Sequence, residues 1–530
     1  MKKLLILNCF CMLLLFITCK HDVLSIDYIE NEELSDIEKK ELYLNILMET
    51  GNYRVDEEKI EKDLVNILQN LQNNSAIRNV SVSTPIIEKI EETSINTKDI
   101  IPFSTEQEQT ENIKLYIHKI ANEEKKGFAI TCNDLRIGEI LAIIEEGEFK
   151  KDITNDSFMK VIATNIDSYI TSTLQNWEKL KKGKETSRSA FRDMVESNNY
   201  TYSNWTLLNG NLNNILKTKW NQMKPYNRVI NELIGGNFPS GCVTTAIAQV
   251  MAFHEYPPSY VGYAHKDFRY FKNEIKNKIP AIENWYGRYD WKEIKKNEYA
   301  DYVSEEAQLQ IASLMYEIAQ SAKASYSRDG TGILVYRYPD ALLPRGYFTG
   351  TRKSNITRVD IGKIGRADKV IIGNNNGKNK HHMVMNMDYS FKDVKYSIDG
   401  RCPLITRGDS FKYITKRWAF WWEWEEVEYG GGHAWVTDGY CKLSCDAKNH
   451  KTNEKVRLTL DYVHCNPGWG GTSNGYYISD IFSFNLGANA SDYEIKSDKE
   501  GYYKYEIKIF PELIPETRLN FDLFFDWYPL

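Results

Sequence analysis

The chain is poor in the residues that stiffen or cross-link a fold. Its 530 residues include 14 prolines, nine cysteines and nine histidines. Nine cysteines are too few to staple a chain of this length, so a hydrophobic core must hold it, and the length is ample for two or three domains. Charge of one sign is also lacking. A net charge of −6 argues for neither a nucleic-acid surface nor an anionic membrane surface. The sequence has no internal repeat, no phosphate-binding P-loop and no dinucleotide-binding glycine fingerprint, which removes the common routes to nucleotide chemistry. No stretch reaches the ~20 apolar residues of a membrane-spanning helix.

What is present begins at the N-terminus. Lys2 and Lys3 precede a largely apolar run, residues 4–17, which ends in Phe16-Ile17-Thr18-Cys19 and then turns polar. Residues 1–19 read as a signal peptide, similar to a bacterial lipoprotein signal with Cys19 as the lipidated residue. Phe16 and Thr18 depart from the usual Leu and Gly/Ala/Ser of that motif, so ordinary secretion is the alternative. The expected location is outside the cytoplasm, as an outer-membrane or cell-surface lipoprotein or as a secreted protein. Of the remaining cysteines, Cys441 or Cys445 is the most plausible disulfide partner, with connectivity open. Cys441 and Cys445 read as flanking a loop, and with His450 and His464 they give no zinc spacing; no metal or cofactor is expected.

Residues 20–110 are acidic, rich in Lys, Glu and Asn, and carry helical patches at 42–47 and 64–68. They read as an N-terminal extension with solvated charged faces. From about 112 the texture changes: 113–117 and 128–130 read as strands and 158–180 as an amphipathic helix, giving a small α+β module at 111–190. The polar, basic stretch 181–189 reads as an exposed linker open to proteolysis. The main domain, 191–530, includes a helix at 304–322, a Gly/Ser/Tyr-rich loop at 323–350, strands at 369–372 and 403–406, and a long stretch at 350–400 that reads as a surface insertion.

The stretch 239–256 organises that domain. Val243, Ile247, Val250 and Met251 recur at helical spacing with small residues between them, so the helix is packed on more than one side. Gly241 precedes it and Pro257-Pro258 ends it. Cys242 therefore falls at the helix N-terminus, where free backbone N–H groups and the helix dipole stabilise a thiolate. Far downstream, residues 430–440 form a glycine-flanked strand that carries His433 and is expected to end at an Asp438-Gly439 turn. Residues 456–466 alternate as the neighbouring strand and stop at Pro467-Gly468-Trp469-Gly470-Gly471. Asn466, at that strand end, is placed to hydrogen-bond a ring nitrogen of His433 and fix its tautomer. A thiol nucleophile needs a base, the base needs an orienting partner, and an oxyanion needs two donors. The backbone N–H of Cys242 and the side chain of Gln222 could supply those donors.

These motifs resemble the streptopain-type cysteine peptidases. The resemblance rests on Gly241-Cys242-Val243-Thr244-Thr245-Ala246-Ile247-Ala248-Gln249 with His254 and Tyr256-Pro257, on Gly431-Gly432-His433-Ala434, and on residues 464–471. Lys126 to Leu141 is similar to the propeptide of that family, Gln222 with Pro225-Tyr226-Asn227 to its oxyanion segment, and 399–404 to its central sheet. The resemblance implies an α+β, papain-like cysteine protease fold, with a helical subdomain and an antiparallel sheet subdomain, preceded by a small α+β propeptide domain at 111–190. It implies Cys242 as nucleophile, His433 as base, Asn466 as orienter and Gln222 as oxyanion donor, with Gly241, Gly432 and Trp469 in the substrate cleft. The implied activity is an exported cysteine endopeptidase made as a zymogen, acting on protein or peptide substrates and inhibited by its own propeptide. One departure stands out. Where the family has Asn-Trp-Gly-Trp-Gly-Gly, this chain has Pro467 after Asn466. That motivates an alternative, a catalytically impaired surface-binding lipoprotein; a Cys-His acyltransferase or amidase is another.

Overall fold

The computed structural model describes residues 34–74, 85–100, 112–121, 126–185, 200–211, 215–349 (except 265 and 329), 372–375, 378–381, 387–410, 417–419, 422–424, 432–483 (except 454), 486 and 505–515. Cys19, the signal segment, residues 186–189 of the expected 181–189 linker and residues 350–371 lie outside that set.

The N-terminal half opens with helices α1 (Asp36–Thr50) and α2 (Glu57–Asn74). Ser35 starts α1 with a reciprocal cap: its side chain accepts from the Glu38 N–H, and the Glu38 carboxylate accepts from the Ser35 N–H at 2.8 Å. Strands β1 (Ile86–Asn96), β2 (Asn112–Ala121), β3 (Lys126–Cys132) and β4 (Ile140–Ile144) follow as an antiparallel run, and then the long helix α3 (Ser157–Glu185). The expected extension is thus more than a solvated arm. Leu44, Leu47, Ile60, Leu64 and Ile67 are buried in one core with β2–β4 and α3. Apolar residues three and four apart give each short helix a buried stripe that its acidic composition hides. Helix α3 also runs through 181–185, residues that read from sequence as linker.

The second half separates into helices and sheet. Helices α4 (Arg228–Ile234), α5 (Cys242–His254) and α6 (Glu305–Ser321) pack together, while α7 (Phe391–Asp399) leads into the sheet. The sheet strands are β5 (Tyr200–Tyr202), β6 (Thr206–Asn211), β7 (Leu404–Ser410), β8 (His433–Asn449), β9 (Lys455–Asn466), β10 (Gly475–Ile478) and β11 (Tyr505–Phe510). The sheet order is β1-β2-β3-β4-β10-β9-β8-β7-β11, with the short strand Met387–Asp388 pairing beyond β11 and with β5 and β6 continuing the β7 side of β8. β4 pairs with β10, Ile143 opposite Tyr476, so the N-terminal module and the main domain share one continuous sheet. This is the α+β arrangement expected of a papain-like peptidase with a preceding α+β module.

Strand β8 is the spine. Alternation sends Trp435 into the core shared with α3, and Ala434 and Val436 into the core under α5. The expected Asp438-Gly439 turn is instead a bulge, with the register against β9 slipping between Thr437 and Gly439. Flanking strands continue on both sides, so the extra residue is absorbed within the strand rather than ending it. Cys441 and Cys445 therefore sit inside β8, not beside a loop. Both are buried, as are Cys132, Cys402 and Cys465, and no disulfide forms among the described residues. No described helix is long and apolar enough to cross a membrane.

Candidate active site

Cys242 is the first residue of α5, preceded by Gly241 at φ 95° with no side-chain cap. Gly241 therefore offers the first-turn N–H groups no side-chain acceptor. A Cβ on Gly241 would lie 2.6 Å from the Thr331 carbonyl oxygen, so both the left-handed φ and the close approach demand glycine. The turn is held from within: Thr245 Oγ1 donates to the Gly241 carbonyl at 3.0 Å and lies 3.2 Å from Ser240 Oγ. The Ser240 N–H donates to the Gln222 carbonyl at 2.8 Å, tying the segment of the expected oxyanion donor to the cysteine turn. Gln222 is half-buried, and its N–H donates to Asn221 Oδ1 at 2.6 Å.

His433 begins β8 after the half-buried Gly432, and is itself buried. Its two ring nitrogens are both engaged. Nε2 lies 2.9 Å from the Pro467 carbonyl oxygen and Nδ1 lies 2.9 Å from Ser157 Oγ. A carbonyl only accepts, so Nε2 carries the proton, and Nδ1 accepts from the Ser157 hydroxyl. Burial lowers the imidazole pKa to about 4, with the Pro467 carbonyl pulling weakly the other way, so at neutral pH the ring is the uncharged Nε2–H tautomer. Phe158 and Trp469 pack against it, with ring centroids at 5.7 and 5.3 Å.

Asn466 does not take the role expected of it. Its Nδ2 donates to the Thr218 carbonyl at 2.9 Å, and its Oδ1 accepts from the Gly468 N–H at 3.1 Å. Both side-chain groups are used in shaping the turn, so the atom that orients His433 is the backbone carbonyl of the next residue. Gln249, buried on α5, completes this group: Oε1 accepts from the Trp220 N–H and the Thr218 hydroxyl, each at 3.1 Å. Sequence reasoning gave Gln249 no role beyond its place in the cysteine motif, and passed over Thr218, Ser157 and Phe158. The only signal was an amide at 249, in the middle of a largely apolar helix.

Behind the site, His464 Nδ1 lies 2.6 Å from Asp438 Oδ1, both groups buried, and its Nε2 lies 3.6 Å from Glu145 of the N-terminal module. Burial opposes its charge, but the Asp438 and Glu145 carboxylates more than offset this and raise its pKa to about 10. The neighbouring Glu146 forms an ion pair with Lys219 and accepts from the Tyr299 hydroxyl at 3.1 Å. No group of three or more His, Cys, Asp or Glu able to hold a metal occurs among the described residues.

A cysteine at an open helix start, a histidine on the adjoining strand and an amide segment hydrogen-bonded to the cysteine turn are the parts of a thiol peptidase. Residues 220–477 match the family model described as the Peptidase C10 family, and the chain is similar to the streptopain-type cysteine peptidases. It is 24% identical over 380 residues to streptopain of Streptococcus pyogenes, an alignment covering 70% of this chain and 74% of that protein. Among solved structures, a fragment of prointerpain A from Prevotella intermedia aligns with a TM-score of 0.38 and 18% identity, over 74% of this chain and 94% of that one. Active interpain A from the same organism aligns at 0.30 and 20%, over 56% and 92%.

Proposed function

We propose that the chain is an exported cysteine endopeptidase made as a latent precursor. In the active enzyme the Cys242 thiolate attacks a peptide carbonyl, forming a C–S bond. The oxyanion is held by the Cys242 N–H and the Gln222 side-chain amide. The imidazolium of His433 gives its proton to the leaving amine, and the acyl-enzyme remains. The neutral ring then takes a proton from water, the hydroxide attacks the thioester, and the acid product leaves as the thiol is regenerated. The observation that carries this reading is a shared hydrogen-bond frame. The cysteine turn is bonded to the Gln222 segment, and the turn after β9 is bonded to His433.

Latency rests on the other nitrogen of the same histidine. Ser157 occupies Nδ1 and Pro467 occupies Nε2, so neither is left for the thiol, and the buried ring is uncharged. The module up to α3 would thus act as an inhibitory propeptide, and activation requires its removal between α3 and β5. Export rests on the N-terminal segment, with lipid on Cys19 the specific form proposed. The test is to incubate the protein lacking residues 1–19 with casein under reducing conditions, wild type beside Cys242→Ala. Wild type alone should lose its N-terminal module and cut casein. Equal processing by Cys242→Ala overturns the nucleophile assignment. If neither protein acts, even after trypsin nicking near 181–195, the surface-binding alternative takes its place.

A further inference from the structure

We propose that Gln249 is a positioning residue for the reaction, a single amide that sets the oxyanion segment and the histidine's acceptor on the nucleophile helix. The inference rests on the peptidase reading above. Gln249 lies seven residues after Cys242, about two turns along α5 and so on the same side of the helix. It is fully buried. Its Oε1 accepts from the Trp220 N–H and from Thr218 Oγ1, each at 3.1 Å. A backbone N–H can only donate, so the orientation of the amide is fixed and Nε2 faces Asn466. There the two amides pair reciprocally: Gln249 Nε2 lies 3.4 Å from Asn466 Oδ1, and Asn466 Nδ2 lies 3.4 Å from Gln249 Oε1.

Two consequences follow for the reacting groups. Trp220 is two residues before Gln222, so its bond to Gln249 anchors the oxyanion segment to the helix that carries the nucleophile. Asn466 in turn holds the Gly468 N–H at 3.1 Å, and the residue between them, Pro467, presents the carbonyl that accepts from His433 Nε2 at 2.9 Å. The turn is pressed onto the helix at Gly468, where a Cβ would stand 2.9 Å from Thr245 Cγ2. Gln249 touches no substrate atom itself; it acts through Trp220 and Asn466. The site asks for two acceptor functions and one donor on a side chain of this length. Glutamate lacks the donor, asparagine the reach, and methionine both polar functions.

The experiment compares wild type, Gln249→Met and Thr218→Val, each matured from the full chain, by kcat and KM across pH 4–10 and by thermal melting. Loosening the Pro467 carbonyl weakens its hold on the imidazolium, so the alkaline limb of kcat/KM, which reports the histidine, should move to lower pH by about half to one unit in Gln249→Met. Its kcat should fall ~10–100-fold with KM changed little, the scale of a slight misplacement of reacting groups. Thr218→Val should move both in the same direction by less. A purely structural role predicts lost activity in proportion to lost folded protein, with the alkaline limb unmoved, and that result overturns the proposal. Should Gln249→Met fail to fold, an unshifted limb in Thr218→Val overturns it equally. Inactive wild type would fault the peptidase reading instead, whereas active wild type with unmoved limbs in both variants faults Gln249 alone.

Discussion

Truncating Phe158 to alanine should release the latent enzyme. Phe158 is fully buried at the start of α3, with ring centroids 5.7 Å from His433, 5.2 Å from Trp435 and 5.5 Å from Tyr477. A Phe→Ala change at such a site costs about 3–5 kcal/mol in lost burial and cavity formation. The state in which α3 has lifted from His433 no longer buries this ring, so the truncation weakens the closed state and leaves the opened one nearly untouched. Each ~1.4 kcal/mol is tenfold, so the opened population should rise by roughly 10²- to several 10³-fold. The assay is the half-time of N-terminal processing of the full chain at neutral pH, followed by mass. In a Cys242→Ala background, which cannot process itself on the mechanism proposed, hydrogen exchange around 433–435 should accelerate by a similar factor. Phe158→Leu, which keeps most of the volume, should change either readout by ~10-fold or less. An unchanged half-time in Phe158→Ala, with a lower melting temperature, would refute the reasoning: the contact would then hold the fold and not the latency.

Two other expectations concern the frame behind the thiol. Gly241→Ala combines a φ of 95° with a Cβ only 2.6 Å from the Thr331 carbonyl, so stability should fall by at least ~1–3 kcal/mol and casein cleavage by the matured enzyme should largely disappear; wild-type activity in that variant would show the turn to be more pliable than its geometry. His464 supplies a pH dependence. Its pKa is about 10 in the folded chain against ~6.5 unfolded, so its contribution is fully present below pH ~6.5 and is lost as the pH rises towards 10. That contribution is about 3–5 kcal/mol. Urea unfolding of the Cys242→Ala full chain from pH 6 to 10 should show this decline, and His464→Gln should remove it; matching slopes for the two chains would discount the charged pair.

The parts of the site with a local signature were legible in the sequence. A glycine before a buried helix marks the cysteine turn, and a period of two marks the strands of His433 and Asn466. What was not legible depends on partners far apart in the chain. Nothing near Ser157 announces that its hydroxyl meets a histidine 276 residues later, and nothing in an Asn-Pro pair says whether the side chain or the following carbonyl will face the ring. The N-terminal helices were underread for a different reason. Their acidic composition suggests a solvated arm, yet Leu44, Leu47, Ile60, Leu64 and Ile67 are enough to bury one stripe each. Asp438-Gly439 misled because a turn signal inside a strand paired on both sides becomes a bulge, with the Asp438 carboxylate bonded to His464 and to the Leu216 N–H at 3.2 Å.

The same accounting bears on Pro467, the residue that sets this chain apart from the family pattern. A proline lacks an N–H and has a fixed φ. In the turn after β9 the donor in use is the Gly468 N–H, bonded to Asn466 Oδ1, and the acceptor in use is the Pro467 carbonyl, which proline retains. The substitution therefore removes a side chain and stiffens the turn, while leaving intact the two hydrogen bonds that orient His433. A tryptophan at this position could shield the imidazole from water. Here Phe158 and Trp469 both pack against the imidazole, with ring centroids at 5.7 and 5.3 Å, and on the proposed maturation Trp469 would be the one that remains. An argument for impairment from Pro467 must therefore rest on lost shielding alone, since the hydrogen-bonding of the turn does not depend on which residue stands there.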